Sequence, residues 1–84
     1  MARFFRIWKQ FGSAMSQPVQ SGSLSRVLVE FGSMTDDDMR LGLYAQPATT
    51  WIHWGEKLSS LRQTLSGEAL VQAERIIQCI SYMD

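Results

Sequence analysis

Between Thr50 and Leu65 the chain carries Trp51, Trp54, Leu58, Leu61 and Leu65, spaced three, four, three and four apart. That rhythm lays all five side chains along one narrow side of a helix, within about 80° of arc. Ser66-Gly67 interrupts the pattern, and Ala69, Ala73, Ile76, Ile80 and Met83 then repeat it. Residues 50–83 therefore read as a helical hairpin. Its two helices are unequal. The first has a narrow seam suited to one partner, with Gly55 beside it so that another backbone can approach. The second spreads Leu70, Ile77 and Cys79 beyond its seam to about half its circumference and needs two neighbours. One is the hairpin mate; the other comes from the N-terminal half or from a second molecule.

Residues 2–15, ARFFRIWKQFGSAM, give the other strong pattern. At about 100° per residue, Phe4, Ile7, Trp8, Phe11, Ala14 and Met15 share one side. Arg3, Arg6, Lys9, Gln10 and Ser13 take the opposite side, and Phe5 lies outside the apolar stripe. The segment fits a core helix with a solvated basic face. It also has the composition of helices that dock on proteins or lie on membrane surfaces. Residues 16–22, SQPVQSG, read as a linker, because Pro18 disfavours helix before it and Ser, Gln and Gly bury little.

Residues 23–33, SLSRVLVEFGS, fit a helix with Leu24, Val27, Leu28 and Phe31 on one side and Ser23 as its cap. Val-Leu-Val raises strand propensity, but neither alternating set is apolar throughout. Gln10-Phe11-Gly12-Ser13 is echoed at Glu30-Phe31-Gly32-Ser33. Both glycines suit left-handed helix ends, which would stop the first helix near Phe11; chance accounts for the echo equally well. Thr35 before Asp36, Asp37 and Asp38 reads as a helix start, with a capping hydroxyl and carboxylates at the positive end of the dipole. That helix is short, since Gly42 weakens it and Gln46-Pro47 ends it. Thr49 or Thr50 caps the first hairpin helix.

These readings predict an all-α fold, a small helical bundle of three to five short helices built on the C-terminal hairpin. The 84 residues form a single domain. Cys79 is the only cysteine, so no internal disulfide supports the thin core. It lies on an apolar helix face without a basic neighbour and reads as an inert buried thiol. His53, the one histidine, points off the Trp seam and lacks an orienting carboxylate. Three consecutive aspartates lack the spacing of a calcium loop and serve as a cap. No phosphate loop, nucleophile elbow or zinc-helix motif is present. The chain is read as non-enzymatic, without metal, cofactor or small-molecule substrate.

Net charge is zero, but residues 1–33 carry plus three, 34–47 minus two and 48–84 minus one. The last helix exposes Gln72, Glu74, Arg75, Gln78 and Tyr82, a mixed face unlike a DNA-recognition helix. No apolar run is long enough to span a bilayer, and the N-terminus is not a secretory signal. A cytoplasmic location follows, with which a lone thiol agrees.

The functional expectation is a small helical protein–protein interaction module of adaptor, inhibitor, chaperone or regulator type. Its partner is another protein or itself, as a homodimer. One contact surface is Trp51, Ile52, Trp54 and Leu58; the other is Phe4, Phe5, Trp8 and Phe11, since aromatic anchors bury much area with few rotors. The alternative is a peripheral membrane-surface protein using the N-terminal helix, and a small DNA-binding regulator is the weaker third.

Overall fold

The computed structural model describes residues 2–16 and 21–83, with the side chains of residues 2–4 and 21 left aside. Among these residues the chain forms α1 (Ala2–Ser16), α2 (Ser21–Glu30), α3 (Asp36–Tyr44), α4 (Ala48–Leu61) and α5 (Gly67–Met83). Short 3-10 turns, Phe31–Ser33 and Arg62–Thr64, follow α2 and α4. The all-α bundle is as the spacing predicts, and α4 with α5 makes the hairpin. Residues 17–20, the centre of the expected linker, lie outside the described residues; Ser16 belongs to α1 and Ser21 and Gly22 to α2.

Helix boundaries follow local chemistry more closely than the pattern did. Thr35 caps α3 as read, its hydroxyl accepting the Asp38 backbone N–H at 3.1 Å. Ser23 is not a cap, because α2 already begins at Ser21. Neither Thr49 nor Thr50 caps α4. Pro47 takes that position, with φ −59°, and its carbonyl accepts from Thr50 N at 2.9 Å. Proline supplies the required φ without an N–H to satisfy. Gly12 does not end α1, which continues to Ser16, and Gly32 sits in a 3-10 turn. The left-handed glycine is Gly67, at φ +58°, where the chain turns into α5.

The core runs through all five helices. Ile7, Trp8, Phe11 and Met15 of α1 are buried, as are Leu24 and Leu28 of α2, Met39 and Leu43 of α3, and Ala73, Ile76 and Ile80 of α5. At its centre Trp8 stacks on Trp54, with ring centroids 5.9 Å apart and planes 10° from parallel. Phe11 meets Trp54 edge-on at 5.1 Å, and Phe31 meets Trp8 at 4.8 Å and Phe11 at 5.6 Å. Each such pair adds about 0.5–1.5 kcal/mol beyond the area it buries. The α4 seam therefore does not serve one partner, since Trp54 reaches α1 while Gly55 lies under Ile80 of α5. The α5 helix does have its second neighbour: α2 packs on it, as do α3 and the first 3-10 turn.

Gly42 has a use that helix propensity cannot reveal. It is buried in α3, and a Cβ there would fall 1.9 Å from Trp8 Nε1. The indole edge thus lies directly on the α3 backbone. Among the described residues its buried N–H has no hydrogen-bond partner, a cost of about 1–3 kcal/mol.

Candidate interaction surface

The eight residues expected to form contact surfaces divide sharply. Trp8, Phe11, Trp51, Trp54 and Leu58 are buried within the chain and offer no free surface in this fold. The physical reason is the size of the domain: a thin core needs its largest apolar side chains inside. Phe5 and Ile52 are exposed, at 66% and 38%, but they do not restore either surface as drawn. The Phe4 side chain lies outside the described residues. The apolar stripe of α1 faces the core, which removes most of the surface a membrane-lying helix would use. Arg6, on its outer side, shares a shallow depression with Glu30, so the basic front is not uniformly positive there.

A different face gathers three of the exposed large apolar side chains; Phe5, Val29, Ile52 and Val71 are exposed elsewhere. Leu41 and Tyr44, on the outer side of α3, are 66% and 64% exposed, and Tyr82 near the end of α5 is 78% exposed. Arg40 lies between them. On one side it lines a depression of about 210 Å³ with Asp36, Arg75, Gln78, Cys79 and Tyr82. On the other it lines a more open one with Asp37, Leu41 and Tyr44. The face is continuous across the junction of α3 and α5.

This junction is held by Arg75, which the helical wheel had assigned to solvent. Its Nη1 donates to Phe31 O at 3.1 Å and to Gln72 Oε1 at 2.6 Å. Its Nη2 donates to Met34 O at 2.9 Å and to Asp36 Oδ1 at 2.8 Å. One guanidinium fork thus ties α5 to the start of the first 3-10 turn, to the extended residue that follows the turn and to the start of α3. Gln72, also expected to be exposed, is only 4% accessible. Its amide is satisfied, accepting from Arg75 and donating to Glu68 Oε2 at 2.5 Å. At the opposite side of the bundle, Lys57 Nζ donates to Met15 O, a backbone acceptor at the end of α1.

Cys79 is half-buried in the wall of the larger depression. Burial pushes its thiol above the usual range, with a smaller push from Asp36; the Arg40 and Arg75 guanidinium groups oppose the rise. The expectation of no basic neighbour is corrected, because Arg40 arrives from another helix, which spacing within α5 cannot show. Burial still outweighs the two cations, and the group is held as a neutral thiol.

Ile52 lines a third shallow strip with Gly55, Ser59, Ile77 and Ile80 between α4 and α5. His53 stands exposed on α4. No described helix is long and apolar enough to cross a membrane. No family model, curated protein or solved structure was found to match the chain.

Proposed function

We propose that the chain is a small non-enzymatic helical interaction protein, of adaptor, inhibitor, chaperone or regulator type, that meets its partner through α3 and the end of α5. The observation that carries this reading is the exposure of Leu41, Tyr44 and Tyr82 around Arg40 on one face. Tyrosine and arginine are the residues that interface energies favour. A tyrosine carries a large apolar area and a polar tip, and a guanidinium can both stack and hydrogen-bond. The aromatic residues of α1 and α4 act indirectly in this reading, by making the framework that holds the face in shape. The cytoplasm is the location it takes, where a thiol such as Cys79 stays reduced.

The test is photo-crosslinking in the native host from a reactive side chain placed at position 41, with exposed position 63 as control. Position 41 is expected to give a discrete cross-linked product that position 63 does not. Tyr44→Ala with Tyr82→Ala, in a chain of unchanged helicity, is expected to reduce it. Equal labelling from both positions, or none from either, refutes the assignment of this face.

A further inference from the structure

We propose that one occupant of this face is a second copy of the chain, docked α3 against α3 about a two-fold axis. The inference rests on the interaction reading above and names the partner. A two-fold interface places the same patch on both sides, so the patch must complement itself. The outer stripe of α3 meets that condition. It carries an acid at Asp37, a base at Arg40 and apolar side chains at Leu41 and Tyr44, at positions that share a helix side.

Within one chain the two charges are only loosely engaged. Arg40 Nη1 stands 3.9 Å from Asp37 Oδ1, and their side chains are 49% and 89% exposed. An antiparallel copy centred between them sets Asp37 against the second chain's Arg40 and Arg40 against its Asp37. The loose pair within each chain is exchanged for two pairs between chains, one on either side of the axis. The same register lays Leu41 of each copy over Asp36 of the other, at the wall of the depression that Arg75, Cys79 and Tyr82 line. Leu41 then meets the edge of a concave surface, Tyr44 falls near Ser33 before the start of the partner helix, and the charges fix the direction of approach.

The area available sets the strength. Helix α3 has nine residues and is about 13.5 Å long. A stable interface covers about 800 Å² on each partner, more than so short a helix supplies. Tyr82 and Gln78 at the end of α5 extend the patch, and the contact remains of the small, reversible kind. The dissociation constant expected is between about 1 µM and 1 mM.

The experiment is sedimentation equilibrium of the full chain across that range, with Asp37→Arg, Arg40→Asp and their equimolar mixture. Each variant alone places like charges together twice, and its dissociation constant should rise at least about tenfold. Mixing the two recreates both attractive pairs and should recover most of the lost association. Circular dichroism establishes that both variants keep the wild-type helicity. Leu41→Glu, at an exposed position that leaves the core intact, should dissociate the dimer as well and serves if either charge variant fails to fold. A wild-type chain that stays monomeric to about 1 mM, or folded variants that associate as well as wild type, overturns the proposal. Those outcomes, with position 41 still cross-linking to a different protein in cells, leave the interaction reading standing. Loss of both results defeats both.

Discussion

Trp8, Phe11, Phe31 and Trp54 hold the middle of the bundle through ring contacts, whereas the corner where α3 meets α5 is held by a single arginine. The first region is apolar, buried and holds one orphan indole N–H. The second is polar, partly open to water and satisfied by hydrogen bonds from end to end. The difference matters for function. The region that looks adhesive in the sequence is consumed by folding, and the region that looks solvated positions the exposed face. In a chain this small, aromatic content measures how much core must be filled before it measures how much surface is offered.

The largest expected effect lies in the aromatic interior. Phe11→Ala leaves a cavity among three rings, Trp8, Phe31 and Trp54, and should cost about 3–5 kcal/mol, read as a lower urea midpoint. A loss below 1 kcal/mol would mean that this cluster is not the stabilising centre. Next comes the polar corner. Arg75→Ala leaves the Met34 carbonyl and the Gln72 amide oxygen without this donor and the Phe31 carbonyl with only the Met34 N–H, and should cost about 2 kcal/mol in thermal or urea unfolding. Arg75→Lys should recover less than half of the loss, because an ammonium has no planar fork to bridge the separate acceptors. Full recovery by lysine would reduce the corner to simple charge.

The smallest of the three effects has an unusual sign. An exposed helix glycine replaced by alanine gains about 1 kcal/mol from propensity. Gly42→Ala should instead destabilise by about 1–2 kcal/mol net, because the new methyl overlaps the buried Trp8 indole and overpacking costs more than propensity returns. A change in tryptophan fluorescence should accompany it. A more stable Gly42→Ala chain would show that α3 moves away from Trp8 freely, and the contrast between a ring-packed interior and a hydrogen-bonded corner would have to be redrawn.

Much of the architecture is legible in the residues because amphipathic period, caps and breakers are local properties. The α1 stripe, the Thr35 cap, the Gly67 break and the broad apolar face of α5 all follow from side chains a few positions apart. Thr35 shows why such reading works: donor and acceptor are three residues apart, so the helix itself brings them together. Residues 23–33 also lean to helix on pattern alone. The same method misplaces Gln72 and Arg75, which a wheel puts in solvent. Arg75 donates to the Phe31 and Met34 carbonyls about forty residues away in sequence, and Gln72, whose hydrogen bonds stay within α5, is packed beside Gly32 from another segment. Arg40 beside Cys79 is missed for the same reason.

The sequence by itself determined that this protein is all-α, where most helices run, which side of each is apolar, and that α5 needs two neighbours. Tertiary structure alone decided which apolar side is shared with which. It turned the aromatic stripes of α1 and α4 toward one another, pressed Trp8 onto Gly42, and left Leu41, Tyr44 and Tyr82 outside. The physical reason is that burial is a competition among all apolar faces for a limited interior. Spacing along the chain identifies the competitors, and only the packed arrangement of helices settles which of them meet water.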